Sequence, residues 1–119
     1  FQAVQQHLVW GAQDAALARM VAETAAREAN RGAAQFEIAA AKLIANQAAA
    51  RATKACHQAH GAMGMTQEYP LHHLSRRLWS WRKEYGGDAE WTKWLGKVAV
   101  SQGADQLYPL ITGGSANFN

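Results

Sequence analysis

One stretch constrains the fold of this 119-residue chain more than any other, because it interrupts a long alanine-rich sequence of helical character. Residues 58–71 read QAHGAMGMTQEYPL, with a turn that contains Gly61 and Gly64 and a restart at Pro70. Glycine permits the backbone conformations that end a helix. Proline suits the first position of a helix, because its φ is fixed and that position needs no N–H partner. The pattern therefore predicts that one helix ends near Ala59 and that another begins at Pro70.

The composition narrows the fold class. The sequence contains 26 alanines and two prolines, which is typical of closely packed helices, since alanine loses no side-chain entropy in a helix. The length suffices for one domain, and no run of about 18 apolar residues predicts a membrane span. Cys56 has no second cysteine to pair with, so we expect it to be a small buried hydrophobe. The chain starts at Phe1 without a signal-peptide pattern, and we expect it to be a piece of a longer chain.

The spacing of small and apolar residues predicts four helices. The first covers residues 2–29 and ends at residues 30–32, whose Asn and Gly favour the left-handed conformation. The second covers residues 33–59 and carries two adjacent stripes, which predicts a central position with neighbours on more than one side. The third and fourth helices are shorter. The apolar stripe of the third consists of Leu71, Leu74, Leu78, Trp81 and Tyr85. The fourth begins after an N-cap at Asp88, and its apolar face consists of Trp91, Leu95 and Val98.

These helices predict an all-α fold, an antiparallel four-helix up-and-down bundle that occupies residues 1–103. After Gly103 the helical periodicity fades. We therefore expect residues 104–119 to form an irregular tail or to dock on a partner surface.

Basic and aromatic residues lie together in the second half of the chain. The net charge of +3 and the pI near 9.3 permit an anionic partner, but we interpret the dense basic residues as a solvated face. Basic–aromatic interleaving also occurs in proteins that bind single-stranded nucleic acid. A position in the core or at a subunit interface is favoured here, because Trp81 and Trp91 fall on apolar stripes, and we expect no nucleic-acid partner. The residues concerned are Arg76, Arg77, Trp79, Trp81, Arg82, Lys83, Trp91 and Trp94.

Histidines and serines suggest two further chemistries that the spacing does not support. His57 and His60 are three residues apart and His72 and His73 are adjacent, but no Cys or carboxylate completes a familiar metal-ligand pattern. Ser75 or Ser80 could be combined with a histidine, but no nucleophile elbow accompanies either serine. We therefore expect neither a metal site nor a Ser-His-Asp site.

The glycine turn and its surroundings resemble the C-terminal helical domain of the acyl-CoA dehydrogenases. The family signature is a Gln-x-x-Gly-Gly-x-Gly turn, a Glu-Tyr-Pro restart and an Arg about one helical turn later. This chain has Gln58, Gly61, Gly64, then Glu68-Tyr69-Pro70 and Arg76. The start Phe1–Leu8 resembles the start of a family helix, and Gly86, Trp91 and Gly96 resemble the last helix, so the resemblance covers roughly residues 1 to 100. The family domain has another long helix before the position of Phe1, so the bundle is expected to lack its first helix.

The resemblance implies a flavin-dependent α,β-dehydrogenation of an acyl-CoA thioester, with FAD as cofactor. It implies that Gln58 and the turn positions Gly61 and Ala62 contact the adenosine part of a flavin bound mainly by the neighbouring subunit of a dimer or tetramer. Gln2 is implied to lie near the same cofactor. Ala62 takes the place of the second glycine of the turn. An electron-transfer flavoprotein is the implied electron acceptor. The implied location is the cytoplasm of a bacterium or the mitochondrial matrix of a eukaryote.

The position of the catalytic base differs from the common family pattern. There a Glu follows a Tyr at the end of the third helix, just before a Gly, and removes the α-proton of the thioester. Counting without gaps from Arg76 puts Tyr85 at this position and Glu84 one residue earlier, a rotation of about 100° on a helix. We expect Glu84 to be a surface carboxylate that pairs with Arg77 or Lys83, and the base to come from an upstream helix or a partner subunit. The alternative is a non-catalytic partner subunit, or a helical interaction module of the same fold without bound flavin.

Overall fold

The computed structural model describes residues 2–62 and 69–114, and within these ranges it is helical without a strand. The all-α class is confirmed. The predictions for Gly64 and Glu68 concern positions outside the described residues. The helices are α1 (Gln2–Ala29), α2 (Gln35–Ala62), α3 (Tyr69–Lys83), α4 (Asp88–Gln102), a short 3-10 helix (Ala104–Gln106) and α5 (Leu107–Gly113).

Helices α1 and α2 form a long antiparallel hairpin built on small residues. A Cβ at Gly11 would lie 3.7 Å from Cys56 Sγ, and Arg51 contacts Asp14 three residues further along α1. The N-terminal end of α1 therefore lies beside the C-terminal end of α2. Small buried side chains permit this close approach, notably those of Ala25, Ala39, Ala41, Ala48, Ala55 and Ala59. Cys56 is half-buried at this interface.

Helix α2 is central, as the two stripes predict, because α1, α3 and α4 all pack against it. Polar side chains link α2 to α3 at the middle of α3 and at its C-terminal end. His57 Nε2 lies 2.7 Å from Ser75 Oγ, and Ser75 is 5% exposed. At the C-terminal end, Lys42 and Asn46 of α2 reach the last turn of α3. The third helix is therefore fixed to the hairpin at two polar positions.

Two expectations about the third and fourth helices are corrected. The stripe through Leu74 and Trp81 does not face the core, since Trp81 is 55% exposed. The less exposed positions of α3 are those of Leu71, Ser75, Leu78 and Arg82, because the polar links to α2 turn that face inward. Asp88 is the first residue of α4 and not its N-cap, which is Gly87 in extended conformation.

The expectation of an irregular tail is corrected for residues 104–113, which are helical. Gly103, with φ of 85°, changes the chain direction after α4. Leu110 is buried, so this one apolar contact holds the segment in place although its sequence has little helical periodicity. Pro109 lies in the first turn of α5, where a missing N–H costs no helical hydrogen bond.

Candidate functional site

The residues expected to contact a cofactor lie at one end of the helical hairpin. Gln2 begins α1, and Gln58 and Gly61 lie in the last turns of α2, which the antiparallel pairing brings to the same end. Gln2, Gln58 and Gly61 are exposed. Apart from its chain neighbours and the helix's own backbone, no described residue places an atom within 4 Å of where a Cβ of Gly61 would be. The backbone of α2 is therefore open to a ligand at Gly61. Ala62 is the last residue of α2, and its side chain is outside the described part.

A groove between α1 and α2 begins at this end and has a volume of about 560 Å³. From here on we call it the upper groove. Among the lining residues that the structure describes, Gln58 is the one that was predicted as a site residue. The lining residues are His7, Trp10, Gln13, Asp14, Arg51, Lys54, Ala55 and Gln58. The upper groove therefore combines aromatic rings, amides and cations.

An aromatic pair and an unpaired ring nitrogen lie on the α1 side of the upper groove. The rings of His7 and Trp10 meet edge to face, with centroids 5.3 Å apart and planes at 74°. His7 Nδ1 is buried and has no hydrogen-bond partner among the described residues. Because buried polar atoms are nearly always hydrogen-bonded, this nitrogen indicates a place where a further polar group fits.

A partly buried ion pair lies in the lining of the upper groove. Arg51 Nε donates a hydrogen bond to Asp14 Oδ1 at 2.9 Å, and Arg51 Nη2 forms an ion pair with the same oxygen at 2.8 Å. Asp14 is 9% exposed, whereas the Arg51 side chain is about half exposed. This pair was not predicted from the sequence. Its signal is an aspartate that lies at helical spacing between the small residues Gly11 and Ala18 of α1, because a charge on a packed helix face requires a partner.

A second polar cluster joins α2, α3 and α4. Lys42 Nζ donates to Asn46 Oδ1 at 2.8 Å and to the carbonyls of Trp81 and Arg82 at 2.9 and 3.3 Å. Asn46 Nδ2 donates to the Arg82 carbonyl at 3.1 Å and to Asp88 Oδ1 at 2.8 Å. Burial lowers the pKa of Lys42 below its ordinary value, and the charges of Asp88 and Glu84 partly oppose this shift. Neither Lys42 nor Asn46 was predicted from the sequence.

The α3–α4 turn carries the two candidates for the catalytic base. Tyr85 has a left-handed backbone with φ of 59°, and its side chain is 90% exposed. Its carbonyl accepts a hydrogen bond from Trp91 Nε1 at 3.0 Å. Glu84 is exposed, and its charge acts on Lys42. The expected pairing of Glu84 with Arg77 or Lys83 is not among the ion pairs of these described residues.

The histidines and serines were considered above as metal ligands and as parts of a nucleophilic site, and the structure shows how they are arranged. The described residues contain no group of three His, Cys, Asp or Glu side chains that could hold a metal ion. Ser75 is brought to His57, but it is almost fully buried between α2 and α3. This contact links two helices and does not present an accessible nucleophile.

The geometry defines an all-α domain with a ligand-sized groove beside the open end of a helical hairpin. The family model for the acyl-CoA dehydrogenase C-terminal domain matches residues 1–95. The chain therefore belongs to the acyl-CoA dehydrogenase family through this domain, and the family as a whole uses flavin. No significant match is found among curated proteins or among solved structures. Across residues 2–62 and 69–114, no helix combines the length and hydropathy that a membrane span requires.

Proposed function

We propose that this chain acts as the C-terminal domain of a flavin-dependent acyl-CoA dehydrogenase and contributes to the FAD site and the subunit interface. The family match over residues 1–95 carries the proposal. In this family the flavin accepts the hydride that leaves the β-carbon of the acyl thioester. Gln2, Gln58 and Gly61 would contact the adenosine part of an FAD held mainly by a neighbouring subunit.

The residues at the hairpin end fit this role. Each glutamine amide offers both donors and an acceptor, and both side chains are exposed. The open surface at Gly61 lets a ring or sugar approach the backbone closely. In the sequence, Ala62 replaces the second glycine of the family turn, and an alanine leaves a ligand less room than a glycine does.

We propose that the α-proton is removed by a base outside this chain, in an upstream segment or a partner subunit. Glu84 is exposed and lies near the Lys42 ammonium. An exposed carboxylate lacks the poorly solvated surroundings in which enzymes place a carboxylate that abstracts a proton. Tyr85 holds the position of the family's base, and a phenol is a poor base at neutral pH.

The proposal includes a dimer or a tetramer. Large apolar side chains are exposed on several helices, including Leu8, Leu74, Trp79, Trp81, Val100 and Ile111. An acyl-CoA substrate and an electron-transfer flavoprotein are the other partners that we propose, in the cytoplasm or the mitochondrial matrix.

A second candidate function is a supporting subunit of a heteromeric enzyme that has no base and no bound flavin. Tyr85 at the base position and Ala62 in the glycine turn favour it. One experiment separates the two candidates. The complete protein is purified together with any co-encoded partner, and its visible spectrum and mass are recorded. A bound flavin in an oligomer supports the first candidate, and a colourless oligomer supports the second. A stable colourless monomer would contradict both.

A further inference from the structure

The side of the α1–α2 hairpin that lines the upper groove continues toward the other end of the two helices. A second cavity of about 290 Å³, which we call the lower cavity, lies further along it. Glu37 and Ala41 of α2 line the lower cavity, and Arg51 and Ala55 line the upper groove. The step of 14 residues is about four helical turns and returns to nearly the same side of the helix. The two cavities therefore belong to one surface, the hairpin face, which follows α2 from residue 37 to residue 58 over about 32 Å.

A C-terminal segment beyond the family match covers the lower end of the hairpin face. The match covers residues 1–95, whereas the segment consists of residues 104–114, which we call the strap. Its last four residues line the lower cavity. Leu110 is 4% exposed, and Gly114, four residues later and on the same side, is buried. The Glu37 carboxylate occupies the place where a Cβ of Gly114 would lie, so the buried side of the strap faces α2.

The strap buries little apolar surface. It is joined to α4 through Gly103, whose φ of 85° turns the chain. A helix of seven residues is not stable by itself, and Leu107, Tyr108 and Ile111 of the strap are exposed. Segments with few buried apolar side chains open at a lower cost than the whole domain unfolds. The strap can therefore leave the lower cavity while α1 and α2 stay folded.

The hairpin face carries opposite charges at its two ends. Glu28 and Glu37 line the lower cavity. In the upper groove Asp14 balances Arg51, and Lys54 leaves a net positive charge among the described lining residues. A twofold axis through the middle of such a surface brings the basic end of one copy to the acidic end of the other. The charges of the hairpin face are thus complementary to those of a second copy.

We infer that the hairpin face pairs with a second copy of itself in antiparallel orientation, and that the strap competes with this pairing. Trp10 and Met20 of α1 are 47% and 56% exposed on this face, and a second copy would cover them. The closed strap shields Glu28 and Glu37, and the open strap lets them face Lys54 of the other copy. The inference rests on the oligomer of the proposed function, and it adds which surface assembles and which segment limits the assembly.

Leu110→Ala in the complete protein tests the strap. Loss of the buried side chain should raise amide hydrogen exchange in residues 104–114 about tenfold, because local opening becomes easier. Sedimentation of the same samples measures self-association. It should become about tenfold tighter, because the fraction of open strap limits the apparent affinity. Tyr108→Ala is the matched control, since Tyr108 lies on the same helix and is 75% exposed, and it should change neither quantity.

Charge reversal tests whether a second copy is the partner of the hairpin face. Lys54→Glu should weaken self-association about tenfold, since like charges across an interface oppose it. Glu28→Lys, added to Lys54→Glu, restores opposite charges across the twofold axis and should recover most of the loss. Lys97→Glu on α4 is the matched control, because Lys97 is also exposed and is not among the described lining residues of either cavity.

The outcomes separate this inference from the proposed function. A flavin-bound oligomer whose assembly neither Leu110→Ala nor Lys54→Glu changes would leave the proposed function standing and overturn the inference. Faster exchange in the strap without tighter association would also overturn it, because the strap would then not compete with the second copy. The expected responses of both variants, in a protein without flavin, would support the inference and contradict the flavin proposal.

Discussion

Lys42 of α2 donates a hydrogen bond from Nζ to the backbone carbonyl of Trp81, 2.9 Å away in the last turn of α3. The last carbonyls of a helix have no partner within the helix, and a cation there also interacts favourably with the helix dipole. Asn46 reaches the next carbonyl and the first residue of α4. The two side chains thus join the end of one short helix to the start of the next.

The first prediction concerns this junction. Lys42→Met keeps most of the side-chain volume and removes the donor to two carbonyls. We expect the free energy of unfolding to fall by about 1–3 kcal/mol, because the hydrogen bonds from a charged donor are lost and the buried Asn46 loses the donor to its Oδ1. Denaturant unfolding followed by circular dichroism measures the change. Lys97→Met, at an exposed position of α4, should change stability by less than about 0.5 kcal/mol. Equal effects of the two substitutions would show that the junction contributes nothing.

The second prediction concerns pH. Burial lowers the pKa of Lys42 in the folded state below its ordinary value of 10.5. As pH rises toward 10.5, the folded state releases this proton before the unfolded state does, so the unfolded state binds more protons and stability increases. The buried charge of Lys42 destabilises the folded state fully at pH values below its folded-state pKa, and this effect disappears as pH approaches 10.5. Unfolding of the unchanged protein and of Lys42→Met at a series of alkaline pH values should show the difference in their stabilities growing with pH. A constant difference would rule out this linkage.

The third prediction uses two adjacent glycines of the α3–α4 turn. Gly86 has φ of 97°, and a Cβ there would lie 2.8 Å from Trp91 Nε1. Gly87 has φ of −86°, and an added Cβ there would have no atom of the described residues, its chain neighbours aside, within 4 Å. Gly86→Ala should therefore cost about 1–3 kcal/mol of stability, and Gly87→Ala should cost less than about 1 kcal/mol. Thermal unfolding compares them, and the reverse order would contradict the turn geometry.

The sequence predicts the helices well because each is signalled locally. The end of α1 at Ala29 follows from Asn30 and Gly32, and the restart near Pro70 follows from the proline itself. The orientation of α3 could not be predicted, because it depends on contacts between Lys42 and residues about 40 positions away. Periodicity alone placed Trp81 in the core. α5 was missed because one buried leucine anchors it, which is too little for a periodic signal.

In the candidate site too, the local sequence predicts single residues but not the contacts between residues that are distant in sequence. The glycine turn predicts Gln58 as a site residue, and the antiparallel hairpin brings Gln2 to the same end. Arg51 and Asp14 lie 37 residues apart in sequence and meet through the register of α1 against α2. Neither their pairing nor the upper groove follows from local sequence, because both depend on how closely the small residues let the helices approach.

The fourth prediction tests the flavin contact. Gln58→Ala in the assembled protein should weaken FAD binding about threefold to tenfold, which corresponds to the loss of one net hydrogen bond. Gln47→Ala is a matched control, because Gln47 is also an exposed glutamine of α2 and lies outside the upper groove. Flavin release is followed by fluorescence during dilution. If the two substitutions have the same effect, Gln58 does not contact the cofactor.

The last prediction concerns the catalytic base. If Glu84 removed the α-proton, Glu84→Gln would cost at least about a thousandfold in rate, because a glutamine cannot accept the proton. Glu84 is exposed and lies near Lys42, so we expect Glu84→Gln to cost less than about tenfold in kcat/KM, or under about 1.4 kcal/mol. Glu90→Gln, at an exposed carboxylate of α4, controls for the loss of surface charge. The measurement uses the assembled enzyme, with acyl-CoA oxidation and exchange of the α-proton with solvent recorded side by side. A thousandfold loss of both in Glu84→Gln, with flavin still bound, would place Glu84 in the active site and remove the need for a base from another segment.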